Sequence, residues 1–468
     1  MSLYEAPTDA ALAQVISTAI TTFPLFGATI SAPIGCGCTK SLYWQLPTSV
    51  PDAATLLANH VTKVTLAVDG ELPASEFDPS NNTGIDKALR TYVSSVIGKT
   101  FDLSVGAFQL HVITYEGVER CDVLWRIHHG IGDGVLLSRV LIALCEEDGG
   151  KLSVKTGGGG GTEVAKKKRA SKRKQSVLSF VGKAFYSIGK VLSIPAMPHD
   201  AATLLKAPSN WKKVGKTKGY GSTRVWSVQA AKDAGRSFGE GCTLNDVVMA
   251  SLSNAMRKYL ISRECKVMKK KNKGLKLRAL AVVNTRMGGS KGSAGEDPIL
   301  EDFKQCKAAN EFSYVIPTLP LGDMSVSDRV KFCSKDMSYL KTSPEAIVIK
   351  KLNNGLRDCF GAPFTLAFNA DYVVNKLTCF FSNLPGPTTP LKCFGVGVGR
   401  LSNFVHPMMY GTGLSIQSYN GEIIVNCSCD KEIVPDPEVF MAFADEAFEE
   451  ICKEGREKEE GGSNDDSI

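Results

Sequence analysis

Residues 121–145 read CDVLWRIHHGIGDGVLLSRVLIALC. Cys121, Val123, Trp125 and Ile127 fall on one face of an extended chain, and Asp122 and Arg126 fall on the other. That period of two predicts a strand with one buried face. Two histidines end the strand, a glycine-rich turn follows, and Val135 to Cys145 reads as a buried helix. Alternation places His128 and His129 on opposite faces, so only one of them can point into a given cavity. An imidazole titrates near neutrality and can take a proton from an alcohol while that oxygen attacks a carbonyl. Gly130, Gly132 and Gly134 let the chain turn sharply and leave room for a ligand beside the imidazole. Asp133 is placed to brace the turn or to pair with a distant arginine. The plainer alternative is two histidines satisfied by backbone bonds at a strand end.

Working outward, Asp9 to Ile20 has helical spacing, with Leu12, Val15, Ile16, Ala19 and Ile20 on one face. Ala107 to Thr114 alternates Phe108, Leu110 and Val112 and predicts a second strand. A further half begins near Trp211. Thr243 opens a helix through Leu260, with Thr243 and Asp246 at capping-box spacing. Leu277 to Val283 and Leu377 to Phe381 read as buried strands. Leu414 to Cys429 reads as a hairpin turning at Asn420-Gly421. Asp436-Pro437 starts the last helix, which buries Val439, Phe440, Phe443, Ala447, Phe448 and Ile451. Both halves mix strands and helices without strict βαβ alternation, so the fold class is α/β, two sandwiches with mixed sheets. A length of 468 residues agrees, being more than one core usually fills. The expected divisions are 1–155 (the half carrying HHGIGDG), 156–210 (basic linker and amphipathic helix), 211–453 (the second half) and 454–468 (an acidic disordered tail).

The composition is that of a globular protein and excludes collagen, wholesale disorder and a cysteine-stapled mini-protein. The formal charge of +7 is local rather than global. Lys166, Lys167, Lys168, Arg169, Lys172, Arg173 and Lys174 follow the five glycines 157–161 and meet one acid, Glu163. A second basic run includes Lys266, Lys269, Lys270, Lys271, Lys273, Lys276 and Arg278. Such runs are solvated loops, or they attract anionic lipid or an acidic ligand. No nucleic-acid-binding module accompanies them, so nucleic acid is not an expected partner. The close cysteine pairs, Cys36/Cys38 and Cys427/Cys429, lack zinc-knuckle spacing, and no metal is expected. Without a signal peptide, the 14 cysteines read as reduced core residues of an intracellular protein. Val177 to Pro198, VLSFVGKAFYSIGKVLSIPAMP, carries Lys183 and Lys190 and is too polar to span a bilayer. It reads equally as an interfacial helix behind a polybasic segment or as a helix packed on the protein's own surface.

HHGIGDG resembles the HHxxxDG signature of the bifunctional wax ester synthase/diacylglycerol acyltransferases, within the coenzyme A-dependent acyltransferase superfamily. The resemblance continues in order. Thr243-Leu244-Asn245-Asp246-Val247-Val248 is similar to the family's Asn-Asp helix start. Val283-Asn284-Thr285-Arg286 resembles its V-N-x-R strand end, and Asn310 to Gly322 a strand with a proline-rich end. Phe381-Ser382-Asn383-Leu384-Pro385-Gly386-Pro387 is similar to its S/T-N-x-x-G-P segment. Gly413 to Asp430 and Val434-Pro435-Asp436-Pro437 resemble its closing hairpin and last helix. The span runs from about His60 to Ile451, with a spacer like that of the plant members. Two features differ. The proline-rich opening is absent, so the chain begins almost directly in its first helix, and TFDLSVGAFQL at 100–110 replaces the P-L-W motif.

The resemblance implies two chloramphenicol acetyltransferase-like sandwich domains with an interdomain tunnel. It implies an O-acyltransferase moving a fatty acyl group from acyl-CoA, a co-substrate, to diacylglycerol or a long-chain alcohol, with no bound cofactor. His129, His128, Asp133, Gly134 and Asn245 would form the catalytic set, with His129 the base and Asp133 structural. Gly132, Asp246, Arg286, Ser382 and Asn383 would line the substrate sites, Arg286 also being a partner for Asp133. Asn245, at a helix N-terminus, would stabilise an oxyanion. The expected place is peripheral on a membrane (endoplasmic reticulum or plasma membrane), on a lipid-droplet surface, or in the cytoplasm. The rival readings are an acyltransferase of the same fold using a small soluble alcohol or amine, and a catalytically silent lipid-binding protein.

Overall fold

A computed structural model describes residues 1–30, 44–69, 77–78, 80–81, 83–147, 177–208, 215, 217–269, 274–286, 297–306 and 310–462. The basic linker, Cys36/Cys38 and Lys270, Lys271 and Lys273 of the second basic run lie outside the described residues.

The first sheet has the order β4 (Val61–Leu66), β5 (Phe108–Tyr115), β6 (Val118–Ile127), β1 (Ser2–Leu3), β15 (Val396–Arg400), β14 (Leu391–Cys393) and β7 (Glu146–Glu147). It is mixed: β4 and β5 run parallel, and β5 and β6 antiparallel. Alternation sorts its side chains between two cores. Phe108, Leu110, Val112, Cys121 and Val123 meet α1 (Asp9–Thr22), α2 (Ala53–His60) and α4 (Gly134–Ala143). Ile113, Tyr115 and Leu124 meet α3 (Gly84–Val96) on the other face. A small ribbon, β2 (Thr29–Ile30) with β3 (Trp44–Gln45), brings Trp44 beside this half.

The second sheet has the order β11 (Phe312–Val315), β10 (Lys276–Asn284), β13 (Cys379–Pro385), β16 (Thr412–Tyr419), β17 (Glu422–Asp430) and β8 (Lys218–Ser222). β12 (Thr318–Pro320) pairs with β10, and β9 (Trp226–Ser227) with β17. β10, β13 and β16 are parallel neighbours. The hairpin turns where expected, with Asn420 at φ 46° and Gly421 at φ 82°, the left-handed pair that a type I′ turn requires. One face packs on α6 (Val228–Ser237), α7 (Leu244–Ser262), α9 (Val326–Thr342) and α12 (Pro437–Gly462). The other packs on α5 (Val177–Ser193) and α10 (Glu345–Phe360), through Val191 and Ile349 against Leu280 and Phe380. α11 (Ala362–Tyr372) follows α10.

Three expectations change. The halves are not consecutive in space: β14 and β15 leave the second half and enter the first sheet, where Leu3 pairs with Val398. Leu391, Cys393, Val396 and Val398 fill the first core, and so does Phe303 from α8 (Pro298–Lys304). The chain opens on a strand, β1, not on its first helix. The acidic end from 454 is helical as far as Gly462, because Lys453 and Glu454 find Glu457 and Lys458 one turn on, and Ile451 and Cys452 anchor the preceding turn.

Candidate active site

β6 ends at Ile127, and the chain turns into α4 through the segment His128 to Asp133. The two rings take different neighbours. His128 is half-buried, with Trp44 5.7 Å and Phe101 5.8 Å away, centroid to centroid. Its Nδ1 accepts the Gly130 amide at 3.1 Å, which leaves Nε2 to carry the proton of the neutral ring. Burial, and then the neighbouring His129, lower its pKa, so it is neutral at pH 7. His129 is exposed, and its ring stands edge-on to Phe312 of the second half at 6.0 Å. It therefore stands at the seam between the two sheets.

Asp133 holds this loop to the second half. Its carboxylate caps α4 by accepting the Leu136 amide at 3.0 Å. It also accepts Arg286 Nη1 at 3.0 Å, Arg286 Nη2 at 2.7 Å and the Glu311 amide at 2.9 Å. Burial alone would raise its pKa; the Arg286 and backbone donors outweigh burial and hold the carboxyl below its usual range. Arg286 is aimed in turn by Asn284, whose Oδ1 accepts the Arg286 amide at 3.0 Å. That bond gives the V-N-x-R spacing a physical purpose. These contacts make Asp133 and Arg286 a strut between the halves.

Two of the loop's glycines leave no room for a Cβ: one on Gly130 would meet His128 Nδ1 at 2.8 Å. A Cβ on Gly132 would meet Leu136 Cδ2 at 2.9 Å. Gly134, the first residue of α4, lies against Leu384 of β13, where a Cβ would be 3.4 Å from Leu384 Cδ1. Next to Leu384, Asn383 Nδ2 donates to Asn245 Oδ1 at 3.0 Å. This bond joins the helix start of α7 to β13 and leaves the Asn245 NH2 group as the donor it can offer a ligand. Ser382 is buried within β13, opposite Ser415. Asp246 is buried and accepts the Thr243 amide at 2.8 Å, with Lys341 at 3.7 Å; its contacts are those of a helix cap.

Residues 310–312 had drawn no role from the sequence. Asn310 Nδ2 donates to the His129 carbonyl at 3.2 Å, Glu311 donates to Asp133, and Phe312 faces the His129 ring. Three consecutive residues thus clasp the histidine loop. The partners are 181 positions apart, and no local pattern marks such a pairing. Trp44 and Phe101, which enclose His128, were equally silent. Two clefts, of about 450 and 400 Å³, lie elsewhere, beside Arg224 and Asp445 and between β4 and α3; neither includes His129. Among the described residues no group of His, Cys, Asp and Glu could hold a metal ion. No described helix is long and apolar enough to cross a membrane.

Residues 308–452 match the WS/DGAT C-terminal domain family. Over 370 residues the chain is 20% identical to wax ester synthase/diacylglycerol acyltransferase 11 of Arabidopsis thaliana, covering 75% of this chain and 74% of that protein. It is 22% identical to number 2 of the same plant over 389 residues, covering 79% and 77%. The fold matches the wax ester synthase/diacylglycerol acyltransferase from Marinobacter aquaeolei VT8 with a TM-score of 0.58, 15% identity and 97% and 93% coverage. It also matches the first condensation domain of the calcium-dependent antibiotic synthetase, with a TM-score of 0.53, 12% identity and 97% and 89% coverage.

Proposed function

The chain is related to the wax ester synthase/diacylglycerol acyltransferase family, and on that premise we propose that it moves a fatty acyl group from acyl-CoA to diacylglycerol, to a long-chain alcohol, or to both. The observation that carries the reading is His129, an exposed imidazole held at the seam of two sandwiches by a loop that both halves clasp. On this reading acyl-CoA reaches it from one side of the seam and the acceptor alcohol from the other.

His129 takes the proton of the acceptor hydroxyl as that oxygen attacks the thioester carbonyl. The carbonyl π pair moves onto oxygen, where the Asn245 amide donates to the oxyanion. The intermediate collapses, the C–S bond breaks, and the coenzyme A thiolate takes the proton back from the imidazolium. No acyl-enzyme forms. No metal is needed, because a thioester is already activated and no water has to be ionised.

Purified protein is given labelled acyl-CoA with diacylglycerol and hexadecanol together, and the neutral lipids are separated. Labelled triacylglycerol, wax ester or both are expected. His129→Ala should lose about 10²–10⁴-fold in rate while keeping its circular dichroism spectrum. A folded His129→Ala protein with undiminished transfer would sink the mechanism, and transfer only to small water-soluble alcohols would sink the acceptor assignment.

A further inference from the structure

α11 is out of place by the ordinary rules of burial. From Cys359 to Ala370 there is no charged residue. A helix whose large side chains are apolar usually turns them into a core or into lipid. Yet Ala370 is the one residue α11 buries. Phe360 is 63% exposed, Phe364 46%, Leu366 63% and Tyr372 46%. The aromatic rings form one ladder: Phe360 to Phe364 at 4.9 Å, Phe364 to Phe368 at 6.4 Å, and Phe368 to Tyr372 at 4.9 Å. Large side chains carry on the order of 150–250 Å² each, so these fractions leave an apolar patch of roughly 400 Å² on one short helix.

The neighbouring layer extends the face. α5 packs on α10, which continues into α11. α5 turns Ser187 and Val191 inward and shows Phe185 (71%) and Leu192 (64%) to the outside. It is thus packed on the protein and apolar on its outer side as well. The sequence entering α5 carries the seven basic residues between Lys166 and Lys174. A second copy docking on this face would bring like charge against like charge. Seven basic residues in the sequence that leads into α5, with an aromatic helix free of charge from Ala362 to Ala370, are the combination that suits an anionic bilayer.

We infer that the face formed by α10–α11 and the outer side of α5 is where the protein docks on an anionic lipid surface, with Phe360, Phe364 and Leu366 entering the headgroup–acyl boundary. The inference rests on the proposed acyl transfer only in expecting lipid here. It locates the contact on the second half, on helices whose inner side packs on β11, where Lys350 pairs with Glu311 and Tyr314 bonds Asn369.

The test is sedimentation of the full chain with sucrose-loaded vesicles, of phosphatidylcholine alone or with about 30% phosphatidylserine. Wild type should pellet with the anionic vesicles. F364S/L366S should partition at least about tenfold less. I261S, at an exposed apolar residue on α7, should partition as wild type. Salt at about 0.5 M should weaken wild-type partition without abolishing it, and should abolish that of the double variant. Circular dichroism establishes that each variant is folded. Wild-type partition by F364S/L366S overturns the inference. So does a wild type that binds neither vesicle, and so does a concentration-dependent dimer, lost in F364S/L366S, with no vesicle binding. Turnover separates the two proposals: vesicle binding without acyl transfer ends the functional reading alone, and transfer to detergent-dispersed acceptor with F364S/L366S binding vesicles normally ends this one alone.

Discussion

At the scale of single residues, the site is organised by a carboxylate whose bonds join the two halves. Asp133 satisfies four donors, two from Arg286 and two from backbone amides, one of them in each half. Breaking a buried ion pair from one side leaves the other charge without its partner. Asp133→Asn should therefore destabilise the protein by about 2–4 kcal/mol in urea unfolding. It should also lower acyl transfer by misplacing the histidine loop. Asp133→Glu should recover less than half of the loss, since the longer stem cannot meet both amides. A stability change within about 0.5 kcal/mol would contradict the strut. The sequence made this residue visible, because HHGIGDG stands out, and left its partners open. Arg286 could be named only by resemblance, and Asn310 and Phe312 were seen only as part of a resembling strand, with nothing to say what they touch.

Among the elements, the seating of α3 on the first sheet depends on a buried histidine. His111 of β5 accepts or donates at 2.7 Å to the Tyr92 hydroxyl of α3. Burial, then the nearby Arg126 and Lys99, lower its pKa to about 4. The folded state therefore resists protonating it, while the unfolded chain takes the proton near pH 6.5. This contribution is complete above about pH 6.5 and is lost as pH falls through about 4. The melting temperature should fall across that window, and His111→Phe should fall less steeply in scanning calorimetry. Equal slopes for the two proteins would remove His111 from the account. Element identities were legible: β5, β6, α4, α7, the β16–β17 hairpin and the start of α12 all follow periodicity, caps or turn chemistry. β1, β14 and β15 were not legible as parts of the first sheet, because strands of two to five residues have too little period to read.

For the whole molecule, the crossing strands matter most. A fragment ending at residue 155 lacks β14, β15 and Phe303, all part of its own core. It also exposes the edge of β1, where β15 pairs. Expressed alone, it should aggregate or unfold without a cooperative transition by circular dichroism. A soluble, cooperatively melting fragment would show that the halves are independent after all. The first core takes residues from both halves, and Phe312 and Asn310 of the second half contact the His129 loop, so both must be in place before His129 has its surroundings.

The sequence by itself determined the local matters: an α/β chain of two mixed halves, a histidine pair at a strand end, and the caps and turns that begin its helices. These depend on periods of 2 and 3.6 and on side chains a few positions apart. Tertiary structure alone decided which distant segments meet. It brought Asn310, Glu311 and Phe312 to the histidine loop, sent β14 and β15 into the first sheet, and left an aromatic helix on the outside. Each of these is a contact, or a missing one, between residues far apart in the chain. Packing chooses such partners by shape and burial, which leave no periodic mark in the sequence.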